Sequence, residues 1–196
     1  MRTGRLEAFS DGVLAILITI MVLELKVPEE PTFEALRPSL VGLLTYLLSF
    51  VYIGIYWNNH HHMFQLVRHV SGAILWANLG LLFMLSLVPF TTAWMDDTRF
   101  AQLPVVVYGI NLLGAAIAYY VLQLTVFRRD GPDGLLRQAV GRDLKGKLSP
   151  VVYVLGILGS LVAPWIGVLA YVAVAVTWLV PDRRAERFVH DHALED

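Results

Sequence analysis

Cysteine is absent from the 196 residues, which removes disulfides, thiolate metal sites and cysteine nucleophiles together and leaves the redox compartment open. Charge is scarce as well. Asp, Glu, Lys and Arg make up 16% of the chain, against about a quarter in ordinary soluble domains, while 57% of residues are hydrophobic and the mean hydropathy is +0.61. Such a chain belongs in a bilayer. No Ser/His/Asp order, phosphate-binding loop or paired carboxylate occurs within an apolar segment, so neither an enzyme nor a cofactor is expected. The net charge of −1 carries no indication of a nucleic-acid partner, and none is expected. Arginines precede the first apolar run as in a signal peptide, but residues 23–28 offer no small-residue cleavage site, so the run reads as a retained first helix. No internal repeat relates the first half to the second, which disfavours an inverted-repeat transporter.

Long apolar runs are plentiful. A helix needs about 20 mostly apolar residues to cross roughly 30 Å of hydrocarbon, and six segments meet or approach that length: residues 5–25, 33–67, 72–94, 102–127, 149–162 and 165–180. The expectation is an all-α, polytopic membrane protein, one domain over residues 1–196 with no soluble part. The second segment is too long for a simple span, and its polar end, Asn58 to His62, is expected to project into water or pack on a neighbour. Pro89 lies near the end of the third. The charged connection 128–147 is expected to hold a short amphipathic helix over residues 134–145. The last two segments, separated by Ala163 and Pro164, read as a tight hairpin, because 32 residues exceed one crossing by about half. Residues 181–196 alternate charges and read as a frayed helix in solvent.

Cation placement supports six spans with both termini in the cytoplasm. Arg2, Arg5, Arg68, Arg128, Arg129, Arg137, Arg142, Lys145, Lys147, Arg183, Arg184 and Arg187 then fall inside, and only Lys26, Arg37 and Arg99 outside. Twelve against three is the bias that the positive-inside rule expects.

The first segment carries Arg5, Ser10 and Asp11, groups that a membrane helix retains for a use. At about 100° per residue, Gly12, Ile16, Thr19, Ile20 and Leu23 fall on one narrow stripe. The stripe either packs on the chain's own helices or lipid, or lines an axis between copies of the chain. In the second case Ile16 and Leu23 form apolar rings that exclude water and favour ions that shed hydration cheaply, with Thr19 as a hydroxyl ring. Lys26 continues the stripe and opposes cation flow unless it turns away. Asp11 lies about 140° around from Ile16 and faces neighbouring helices. Its candidate partners are Arg5, Trp57, His60, Trp76 and Asn78, as a packing clamp or as a gating or proton-handling group. His60, His61 and His62 point about 100° apart with no ligand four residues on, so no metal is expected there. Trp94, Trp165 and Trp178 suit interfacial positions.

Arg5 with Phe9-Ser10-Asp11, followed by an apolar helix ending in Leu23-Glu24-Leu25-Lys26-Val27-Pro28, resembles the first helix of the transmembrane protein 175 family of potassium channels. Trp57-Asn58-Asn59-His60 through Met63-Phe64 resembles that family's second helix. Trp76-Ala77-Asn78-Leu79 through Pro89-Phe90-Thr91-Thr92 resembles its third. The resemblance implies the single-repeat prokaryotic form: a multi-pass homotetramer in the plasma membrane, among membrane lipid, with the first helix lining a central pore. The pore would hold no carbonyl filter, and no T-V-G-Y-G run is present. Ile16 would be the hydrophobic constriction, Thr19 the hydroxyl layer and Leu23 a second ring, with Gly12 and Ile20 beside them. Arg5, Ser10, Asp11, Trp57, His60, Trp76 and Asn78 would form a polar inter-helix network. Permeant potassium would be the only bound ion. The alternatives are a secondary transporter and a non-conducting membrane assembly protein.

Overall fold

The computed structural model describes residues 3–67, 69–141 and 143–179, and among them every regular element is a helix. Helix α1 spans Thr3–Leu23, α2 Phe33–Gln65, α3 Gly72–Ser86, α4 Val88–Asp97, α5 Gln102–Asp130, α6 Leu135–Val140, α7 Leu144–Ser160 and α8 Pro164–Leu179. The boundaries follow from local chemistry. Thr32, Ser71 and Asp143 each cap a helix by accepting a hydrogen bond from the backbone N–H three residues on, at 3.2, 3.3 and 2.9 Å. After Leu23 the chain makes a turn, with Glu24 N–H donating to Met21 O, and then enters the stretch holding Pro28 and Pro31.

Several boundaries differ from the sequence reading. The segment 72–94 is two helices, α3 and α4, broken at Leu87, and the second runs on to Asp97. Pro89 has no N–H to donate to Leu85 O, so the ladder cannot continue through it. A buried amide on α5 supports the break: Asn111 Nδ2 donates to Met84 O at 2.8 Å. The helix expected over 134–145 stops at Val140, because Gly141 and Asp143 adopt φ of 54° and 40°, outside helical geometry. Lys145 therefore belongs to α7, which begins at Leu144 and not at residue 149. The first helix ends at Leu23, two residues before the expected limit. The solvent helix expected over 181–196 lies outside the described residues, as do Arg2, Arg68, Arg142, Arg183, Arg184 and Arg187.

Among the described residues, four stretches are long and apolar enough to cross a membrane: Thr3–Leu23, Phe33–Gln65, Gly72–Asp97 and Gln102–Asp130. Helices α7 and α8, of 17 and 16 residues, form an antiparallel hairpin closed by the short turn 161–163. Its pairing is explicit: Trp178 Nε1 donates to Ser149 Oγ at 2.8 Å at the open end. At the closed end Gly167 sits against Ser160, and any side chain there would overlap its hydroxyl. The chain reverses at the α1–α2, α2–α3, α4–α5 and α7–α8 connections, while α4 continues in the direction of α3. One end of the bundle gathers the α1–α2, α4–α5 and α7–α8 turns, joined by Lys26 to Asp97 (2.6 Å) and by Gln102 Nε2 to Leu161 O (2.6 Å). The other end holds the start of α1 and the α2–α3 connection, joined by Thr3 Oγ1 donating to Val67 O at 3.0 Å.

Helix α5 is the hub, packed on α3, α4, α7 and α8, while α1 packs on α2, α3 and α4. Between α2, α5, α7 and α8 lies a cluster of buried tyrosines, Tyr52, Tyr108, Tyr153 and Tyr171, with ring centroids 5.9 to 6.4 Å apart. Their hydroxyls find partners inside the bundle, as lipid surroundings require. Tyr52 donates to Tyr171 O, Tyr171 to Val105 O, and Tyr108 shares a hydrogen bond with Ser49, itself 2.7 Å from Thr92 Oγ1. The long α2, about 50 Å at 1.5 Å per residue, does not project freely at its polar end. Met63, Phe64, Leu66 and Val67 are buried there, so that end packs on its neighbours.

Candidate functional site

Two faces of α1 divide the candidate residues. Leu6, Ser10, Leu14, Leu17 and Met21, spaced three and four apart, are buried against the bundle. Gly12, Ile16, Thr19, Ile20 and Leu23 are exposed, Ile16 to 58% and Leu23 to 81%. Among the described residues, no helix packs over the stripe. Thr19 Oγ1 donates back to Ile16 O at 2.8 Å, which commits its hydrogen to the helix and leaves its oxygen lone pairs facing outward.

On the inner face one relay joins three helices. Ser10 Oγ donates to Leu6 O (2.9 Å), Asn78 Nδ2 of α3 donates to Ser10 Oγ (3.0 Å), and Asn78 Oδ1 lies 2.8 Å from His60 Nε2 of α2. The order fixes each role. Because the Asn78 amide nitrogen serves Ser10, its oxygen accepts, and His60 Nε2 carries the hydrogen. All three side chains are buried, and His60 Nδ1 is the one buried side-chain polar atom without a partner among the described residues.

Asp11 belongs to a separate contact on the rim. Trp57 Nε1 donates to Asp11 Oδ1 at 3.0 Å, Trp57 stacks on His61 at 6.2 Å, and His61 Nδ1 lies 3.7 Å from Glu7 Oε1. Sequence reasoning missed Glu7 and His61. The signal was present: Glu7 and Asp11 are four apart on α1, Trp57 and His61 four apart on α2, so two matched pairs align along one helix contact. Arg5 and Trp76 stand apart from both groups, exposed on the single chain, Trp76 to 77%.

At the far end of α1, Lys26 leaves the stripe. Its ammonium pairs with Asp97 of α4, whose hydrogen bond and charge raise the lysine above its ordinary range.

Residues 5–89, which contain every candidate residue named above, match the family described as endosomal/lysosomal potassium channel TMEM175. A potassium channel of Chryseobacterium sp. (strain P1-3) is 52% identical over 192 residues, 98% of this chain and 100% of that protein. The chain belongs to the TMEM175 family. Its fold matches a crystal structure of a lysosomal potassium-selective channel TMEM175 homolog from Chamaesiphon minutus, with a TM-score of 0.74 and 32% identity. That match covers 90% of this chain and 96% of that one. A variant of the potassium channel MtTMEM175, crystallised with a nanobody fusion protein, shares the fold at 19% identity and a TM-score of 0.62, over 89% of this chain and 90% of that one. The family match ends within α4, so the TMEM175 pattern lies in α1 to α4, while the structural likeness, at 90% of the chain, extends well beyond it.

Proposed function

We propose that four copies of this chain surround a potassium-permeable pore in the plasma membrane of a prokaryotic cell, each contributing the exposed stripe of α1. The observation that carries the reading is that stripe, an apolar row of Gly12, Ile16, Ile20 and Leu23 with one inserted hydroxyl, left uncovered by the described helices. An assembly protein with the stripe buried inside one subunit does not have this surface. The relatives named potassium channels support the same reading.

In the proposed pore Ile16 is the narrow apolar ring. Water is excluded there, and potassium, which sheds hydration more cheaply than sodium, passes preferentially. Thr19 offers hydroxyl oxygens beside it, and Leu23 forms a second ring. The Ser10–Asn78–His60 relay clamps α1 to α2 and α3 from behind, so that the stripe keeps its direction. The α7–α8 hairpin completes six crossings with both termini in the cytoplasm. Conduction is passive and needs no cofactor. Purified protein in liposomes holding a potassium gradient is expected to give a flux above that of empty vesicles; a reconstituted tetramer giving none rejects the proposal.

A further inference from the structure

A continued α1 would carry Lys26, three residues beyond Leu23, onto the same stripe, with its ammonium at the far mouth of the pore. The structure prevents this in two ways. The helix stops at Leu23, and the Lys26 backbone is tied to α2, its carbonyl accepting a hydrogen bond from Ser39 Oγ at 3.1 Å. The ammonium is drawn to α4, where it pairs with Asp97 Oδ1 at 2.6 Å. Stability does not account for the pair. Its side chains are 77% and 57% exposed, and exposed ion pairs contribute little. Asp96 and Asp97 also occupy the last turn of α4, the end where the helix dipole disfavours carboxylates. Glu24, Lys26, Asp96 and Asp97 line one cleft between α1, α2 and α4. Across residues 24–37 and 96–99, which share this end, six carboxylates stand against three cations.

We propose that Asp97 is a positioning residue for conduction: by holding the Lys26 ammonium off the α1 stripe, it keeps the mouth of the pore net negative and open to cations. The inference rests on the pore reading given under Proposed function. Freed from Asp97, Lys26 adds one positive charge per subunit beside the ion path, an effect that reaches about 20 Å in dilute salt and about 3 Å in molar salt.

The test is the potassium conductance of wild type, Asp97→Asn, Lys26→Gln and the double variant, at about 20 mM and about 1 M KCl. At low salt Asp97→Asn is expected to lower conductance about threefold and Lys26→Gln to raise it, since the two changes shift the mouth charge in opposite directions. The double variant, with the pair's net charge restored to zero, returns to the wild-type value, and at high salt all four converge. A purely structural staple predicts instead that the double variant is as impaired as Asp97→Asn and that salt does not matter. Wild-type conductance with Asp97→Asn unchanged, or with a double variant as low as the single one, overturns this inference and leaves the pore reading standing. No wild-type conductance overturns both.

Discussion

At Ile16 a branched apolar side chain stands 58% exposed, one turn from Gly12 and from Ile20, with none of the described helices covering it. If four such side chains meet at an axis, shortening them widens the narrowest ring. Ile16→Ala is expected to raise conductance and to reduce discrimination between potassium and sodium in bilayer recordings. Unchanged currents would move the constriction to Leu23. The buried relay makes a contrasting prediction. Asn78→Leu strands His60 Nε2 in an apolar environment and takes from Ser10 Oγ the donor it accepts from, Ser10 still donating to Leu6 O, costing about 1–3 kcal/mol in unfolding measured in detergent. Trp57→Phe removes the exposed hydrogen bond to Asp11 and keeps an aromatic ring beside His61, and its cost is expected to stay below about 1 kcal/mol, since water can replace the indole. Equal losses for the two variants would mean that the relay is not the stronger tie.

Among the elements, the α5–α8 contact depends on absence of a side chain. Gly109 of α5 lies under Tyr171 of α8, and a Cβ built there overlaps the phenol oxygen and ring and crowds Ile157. Gly109→Ala is therefore expected to destabilise the bundle by about 1–3 kcal/mol through overpacking. Adding Tyr171→Phe recovers part of the loss, because it removes the nearest atom, although it also gives up the hydrogen bond to Val105 O. A thermal midpoint series in one detergent checks both. The broken α3–α4 pair follows the same logic of local replacement. Pro89 interrupts the ladder, and Asn111 and Thr91, 3.2 Å apart, supply polar groups at the interruption that lipid cannot.

For the whole molecule, the distribution of cations gives a direct test of orientation. With no native cysteine, a single introduced thiol is the only one present. Arg137→Cys, on the exposed side of α6, is expected to react with a membrane-impermeant thiol reagent only after the cytoplasmic face is opened. Labelling in intact cells would reverse the proposed topology. Assembly is tested by the symmetry of the detergent-solubilised particle. A four-fold axis surrounded by the four copies of α1 is expected, with a protein mass of about four chains of 21.9 kDa each.

Composition and span length alone determined that the chain is an all-helical membrane protein, because burying that much apolar sequence without charge leaves no soluble alternative. The R-x-x-x-F-S-D stretch and its two companions were sufficient for the family, and helical periodicity separated the Ile16 stripe from Asp11. Tertiary structure decided which polar groups meet. From spacing, Arg5, Asp11, Trp57, His60, Trp76 and Asn78 were equivalent candidates for one network. Only the rotation and depth of α2 and α3 against α1 divide them into a buried relay, a rim contact and two exposed side chains. The break at Leu87, the short α6 and the sideways turn of Lys26 were likewise beyond periodicity. The first follows from Pro89 and the second from the positive φ of Gly141 and Asp143, local features that a hydrophobic period does not register, while the third depends on Asp97, distant in sequence. A helical period fixes the direction of a side chain from its own axis; what lies in that direction is set by how the helices cross.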